Sequence, residues 1–140
     1  MSDLLLDTNI LIDVVDRRRP ESVEARRVLE LCNGGGDRGF ACAMSLKDVY
    51  YVLSRFHGEK DARRLVGELM GFVILAPVSA ETLDAALRSN EPDFEDGIVR
   101  AVAELEGMDF ILTRNARAFA GSRVRSMTCG QYLRDVRGVS

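Results

Sequence analysis

Residues 4–13 read LLLDTNILID. Three consecutive leucines without a polar alternate suit a short strand buried on both faces, the kind found inside parallel sheets. Asp7, Thr8 and Asn9 then break the apolar run, and Ile10 to Asp16 begins a helix. Working outward from this stretch, the same alternation repeats. DLLL (3–6), FACAM (40–44), FVILAPV (72–78) and DFILT (109–113) read as strands, with a weaker fifth near Val124 to Met127. Between them lie helical patterns. Pro20 suits the first turn of PESVEARRVLELC, whose apolar positions are Val23, Val28 and Leu31. From Ser45 to about Phe56, Val49, Val52, Leu53 and Phe56 share a face, and a second helix after Gly58 carries Ala62, Leu65, Val66 and Leu69. Ser79 caps a helix to Arg88, Pro92 introduces one from about Asp93 to Glu106, and a last one starts at Thr128. The glycine-rich NGGGDRG (33–39) is a turn; no Gly-Lys-Ser/Thr follows it, so it is not a phosphate loop.

Strands alternating with helices predict an α/β fold: a three-layer α/β/α arrangement around a parallel sheet of four to five strands, because right-handed crossovers put helices on both faces. Residues 1–140 read as one domain, with no repeat, linker or low-complexity segment. A chain of this length buries roughly 68–70% of its unfolded surface, enough for a sizeable core. No apolar stretch approaches the roughly 18 residues of a membrane span, and the expectation is a cytoplasmic protein. Cys32, Cys42 and Cys129 are odd in number and sit among apolar neighbours, as reduced core thiols do. With His57 the sole histidine, a His/Cys zinc site, a Ser-His-Asp triad and a Cys-His pair are hard to build. The net charge of −3 argues against a generic polyanion binder, yet the arginines are clumped: Arg114, Arg117, Arg123 and Arg125 crowd one segment.

In open parallel sheets ligands bind beyond the carboxyl ends of the strands, near the point where strand order reverses. Asp7, Thr8 and Asn9 follow the first strand, Ser45 and Asp48 the second, and Thr113, Arg114 and Asn115 the fourth. Asp93 and Asp96 open the helix reached after the third. Carboxylates gathered in one cleft repel unless a cation compensates. Oxygen donors without histidine or cysteine point to Mg²⁺ or Mn²⁺, ions suited to phosphodiester hydrolysis.

LLLDTNILID (4–13) followed by EPDFEDGIVRAVAELEGMDFILTRN (91–115) closely resembles the PIN domain, the nuclease fold of VapC-type toxins in toxin–antitoxin pairs. The likeness spans nearly the whole chain. It implies metal-dependent RNA cleavage, frequent homodimers and inhibition by a small antitoxin protein. By position, Asp7 and Asp96 are similar to metal ligands of the family. Asp48 stands where a glutamate is usual, and Asn115 where many members carry a further aspartate. Asp93 matches a supporting acidic residue, and Thr8, Asn9, Ser45 and Thr113 match polar residues around the site. Ala118, in TRNARAF, departs from the common TRNxxDF. With less negative charge there, a second metal is expected to bind weakly.

Simpler roles remain open at this level. Asp7 and Asp93 suit helix N-caps, Asp96 fits a capping box with Asp93, Asp48 favours the dipole of its helix, and Asn115 suits a turn. Arg114 and Arg117 are candidates for holding RNA phosphates. Tyr50 and Tyr51 read as core or interface residues in preference to base-stacking ones. Two other functions also fit: a catalytically weak PIN domain that binds RNA or protein, and a phosphotransferase using Asp7 as nucleophile. The latter lacks an Asp-x-Asp pattern, since Asn9 stands two residues on.

Overall fold

The computed structural model describes residues 1–139. Five parallel strands form one sheet: β1 (Asp3–Leu6), β2 (Arg38–Cys42), β3 (Ile74–Ala76), β4 (Phe110–Leu112) and β5 (Arg125–Met127), in the order β3-β2-β1-β4-β5. The helices are α1 (Thr8–Val15), α2 (Ser22–Asn33), α3 (Ala43–Met70), α4 (Ala80–Arg88), α5 (Phe94–Leu105) and a short α6 (Cys129–Gln131), which continues as a π turn over Tyr132–Val136. The expected parallel α/β/α architecture is present. Among the described residues no helix is long and apolar enough to cross a membrane.

Central β1 explains the unbroken leucines. Leu4, Leu5 and Leu6 are essentially inaccessible. Strand alternation sends Leu4 and Leu6 into a core with α1, α2, α3 and α6, and Leu5 into a second core with α5 and Ala86 of α4. Ile111 of β4 joins the second core and Leu112 the first, so the sheet divides two separate apolar layers. Cys42 and Cys129 are buried, Cys32 is half-buried, and all are free thiols.

Several boundaries move from the sequence expectation. Asp7 caps α1 directly, so that helix starts at Thr8. Ala43 and Met44 belong to α3, not to β2, which starts earlier at Arg38. The long apolar run at 72–78 yields only a three-residue β3. β3 is a sheet edge, and Pro77 after it has no N–H to extend a ladder. On α2 the inward positions are Ser22, Ala25, Val28 and Leu29, whereas Val23 is 74% exposed. Phe56, expected on the apolar face of its helix, is 70% exposed. Gly58 interrupts α3 with φ 82°, ψ 166°, so the two helical halves expected there meet at a kink that favours glycine.

The chain reverses direction across the sheet at β1, whose neighbours are β2 and β4. A crevice lies there beyond the C-terminal ends of β1 and β2, closed on its other side by α5.

Candidate active site

A cleft of about 400 Å³ opens beyond these strand ends. Asp7, Thr8, Asn9 and Ile12 line it from the start of α1, Ser45, Lys47, Asp48, Tyr51 and Val52 from α3, and Glu95, Asp96, Ile98 and Val99 from α5. Six of the sequence-predicted site residues therefore share one space: Asp7, Thr8, Asn9, Ser45, Asp48 and Asp96.

Asp7 is the most firmly held of them. Its backbone N–H donates to the Leu112 carbonyl at 2.9 Å, tying the end of β1 to β4. Its Oδ1 accepts from the Thr8 amide at 2.9 Å, the local helix cap. Its Oδ2 accepts from the buried Thr113 hydroxyl at 2.8 Å, and Thr113 Oγ1 in turn accepts from the Asn115 amide at 3.0 Å. Thr113 thus orients the carboxylate without lining the cleft. Burial pushes the Asp7 carboxyl above its ordinary range; the Thr113 and Thr8 hydrogen bonds pull it back, and the charge of Asp93 adds to the rise.

Asp96 stands in the first turn of α5. Burial raises its pKa to about 6, reinforced by the charges of Asp93, Asp7, Glu91 and Glu95. A carboxylate at a helix N-terminus is ordinarily favoured by the dipole; here desolvation and its neighbours outweigh that preference. Asp93 spends Oδ1 as the α5 cap, accepting from the Glu95 amide at 2.8 Å and the Asp96 amide at 3.3 Å. It acts on the cleft through its charge and by fixing the helix end. Asp48 reaches the cleft but is ion-paired to Lys47 at 3.2 Å.

The remaining expected residues lie elsewhere. Asn115 is exposed outside the cleft lining and contributes its backbone amide. Arg114 sits on the other side of α1, pairing Nε with Asp13 at 3.1 Å and Nη1 with Glu21 at 3.1 Å. Asp13 is fully buried and also meets Arg19 at 3.3 Å. Arg114 is thereby a clamp between the loop after β4 and helices α1 and α2. The polar Asp13 within an otherwise apolar ILID stretch was the available signal for it. Arg117 is exposed beside a shallow groove along β5. Tyr51, expected in core or interface, is 59% exposed and lines the cleft, while Tyr50 packs against the core.

Among the described residues, no three His, Cys, Asp or Glu side chains converge into a ready-made metal cage. The donor set still fits a hard divalent cation. Asp7 and Asp96 are oxygen ligands whose charged forms are penalised by burial and by neighbouring carboxylates, a penalty that a cation relieves. Mg²⁺ commonly takes one or two carboxylates and fills its other positions with water and phosphate oxygens.

A model of the PIN domain family matches residues 3–117. No curated protein matches significantly in sequence. Among solved structures, the chain is similar to Mycobacterium tuberculosis VapC20, described as a sarcin–ricin loop cleaving toxin, at 18% identity and a TM-score of 0.68, covering 84% of this chain and 94% of that one. A toxin–antitoxin complex from Klebsiella pneumoniae is 25% identical with a TM-score of 0.65, over 90% of this chain and 97% of the other. DNA-bound VapBC from Salmonella typhimurium gives 16% identity and a TM-score of 0.71, over 92% and 99%.

Proposed function

Given that this chain belongs to the PIN domain family, we propose that it is a metal-dependent endoribonuclease and the toxin of a toxin–antitoxin pair. One observation carries the reading. Asp7 and Asp96, 89 positions apart in sequence, line one crevice at the strand-order reversal, and the charged forms of both are penalised there.

Asp7 and Asp96 would hold Mg²⁺ or Mn²⁺, with Asp48 approaching directly or through water. Bound there, such an ion supplies Lewis-acid activation of water and offsets charge on the phosphoryl oxygens. The protein's own groups prepare the site. Thr113 and the Thr8 amide fix the two oxygens of Asp7. Asp93 anchors the first turn of α5 and so the position of Asp96. Thr8, Asn9 and Ser45 offer hydrogen bonds to the substrate or its waters. Lys47 is the cation that lines the cleft, placed to meet a phosphate when its pairing with Asp48 opens. Arg117 is exposed to take a flanking phosphate, whereas Arg114 serves the loop that carries Thr113.

Partners follow from the same reading. Solved neighbours are toxin–antitoxin complexes, which supports a small inhibitory protein for this chain. A groove of about 540 Å³ between α1, α2 and the second half of α3 combines Val14, Leu29, Leu65 and Phe72 with both arginines and carboxylates, a surface suited to an apolar segment of mixed charge. A homodimer, which the family resemblance implies, is measurable by sedimentation.

The decisive experiment is cleavage of mixed RNA by purified protein in Mn²⁺, Mg²⁺ or EDTA, beside Asp7→Asn/Asp96→Asn. Metal-dependent cleavage that vanishes in the folded double variant is expected. RNA binding without turnover in either metal would instead make the chain a non-catalytic RNA-binding PIN domain, the reading favoured by Asn115 and Ala118 standing where carboxylates are common.

A further inference from the structure

Tyr51 is the unexpected occupant of the cleft. On α3 it lies four residues after Lys47 and four before Arg55, a spacing that stacks all three on one helix face. Lys47 and Tyr51 both line the cleft with Asp7 and Asp96. The Tyr51 ring is 59% exposed, although a buried position would be the favourable one for so large an apolar surface. One orientation is favoured: the Arg55 guanidinium carbon lies 5.7 Å from the ring centroid, and Arg55 Nη1 donates to the Tyr51 hydroxyl at 3.1 Å. A solvent-exposed ring biased toward one orientation by a cation gives up some side-chain freedom before any ligand arrives, which reduces the ordering entropy of a later contact.

We propose that Lys47, Tyr51 and Arg55 form a binding track for single-stranded RNA that leads out of the cleft, with Tyr51 stacking an unpaired base next to the cut phosphate. The inference rests on the nuclease reading and adds to it the residues that hold the strand beside the cleft. The track runs eight helical residues, about 12 Å along the α3 axis. It alternates cation, aromatic and cation, matching a chain whose phosphates and bases alternate. Base–aromatic stacking tolerates any sequence and requires an unstacked base, so the track selects unpaired segments over duplex. It also answers an electrostatic difficulty. The cleft itself is rich in carboxylates, so a polyanion needs cations beside it; Lys47 supplies one on the cleft wall and Arg55 another beyond Tyr51.

The test uses the full-length protein in EDTA, so that binding is read without cleavage. The probe is a single-stranded oligoribonucleotide carrying 2-aminopurine, whose fluorescence falls on stacking. Wild type is expected to bind and quench it. Tyr51→Phe should retain both, whereas Tyr51→Ala should bind on the order of 10-fold more weakly without quenching. Lys47→Gln and Arg55→Gln should weaken binding and flatten its dependence on salt. Duplex RNA should compete poorly. Undiminished binding and quenching by Tyr51→Ala, with its circular dichroism unchanged, would overturn the track while leaving the nuclease reading intact. So would sedimentation showing that Tyr51→Ala converts a dimer to monomer, which assigns the ring to contact with a second copy. A wild type that binds no single-stranded RNA in EDTA would also overturn the track, while the nuclease reading stands or falls on metal-dependent cleavage.

Discussion

Replacing Asp96 by Asn should make the metal-free protein more stable while removing its activity. The folded chain holds this carboxyl at about 6 against an ordinary 3.8, first through burial and then through the charges of Asp93, Asp7, Glu91 and Glu95. The sign follows from proton binding. Because the folded pKa lies above the unfolded one, the native state takes up a proton more readily than the unfolded chain does. The charged form therefore weakens the fold fully at pH values above about 6, and that penalty is relieved as pH falls from about 6 toward 3.8. The interval corresponds to an upper bound of ~3 kcal/mol if the group were dry. Asp96 is only half-buried at the cleft, and solvent screening reduces this to about 1–1.5 kcal/mol. Its side chain makes no hydrogen bond among the described residues that Asn would break. Urea denaturation in EDTA at pH 7.5 should show Asp96→Asn more stable than wild type by that amount, and at pH 4 the difference should be largely gone. With Mn²⁺ at 100-fold its dissociation constant, wild type gains about 2.7 kcal/mol. The variant gains far less, so the order of stability inverts. A variant that is less stable than wild type in EDTA at pH 7.5 would refute the claim that Asp96 is an electrostatic liability awaiting a cation.

Other perturbations report on the groups behind the cleft. Thr113→Val keeps the shape but removes the donor to Asp7 Oδ2 and the acceptor for the Asn115 amide; it should cost about 1–3 kcal/mol in chemical denaturation and weaken Mn²⁺ binding. Arg114→Ala leaves the buried Asp13 carboxylate with Arg19 alone and should destabilise by about 2 kcal/mol, with Asp13→Asn added in the same chain recovering part of the loss. A double-variant cycle with no coupling would refute the clamp. Gly58→Ala forces a side chain into φ 82° at the α3 kink and should lower stability by about 1 kcal/mol, read as a lower melting temperature with unchanged RNA binding.

The sequence by itself determined the layered parallel sheet. LLL at 4–6, FACAM and DFILT are short, unalternating apolar runs, and burial on both faces of a parallel sheet is what makes such runs favourable. It also marked Asp7, Asp48, Asp93 and Asp96 as carboxylates at strand exits and helix starts, because parallel topology sends those points to one edge. What each carboxylate does there was decided only in three dimensions. Asp93 spends an oxygen on the α5 cap, Asp48 leans on Lys47, and the Asp96 carboxylate, without a hydrogen-bond partner among the described residues, stands among like charges. Arg114 shows the same limit: adjacent in sequence to Thr113, it turns to the opposite side of α1 to meet buried Asp13. Phe56 shares the helical period of Val49, Val52 and Leu53, yet it is exposed, while Tyr51, on the face of Lys47 and Arg55, lines the cleft. Periodicity fixes which residues share a helix face. The neighbouring elements decide whether that face meets protein or water, and partner choice and desolvation depend on groups far apart in the chain.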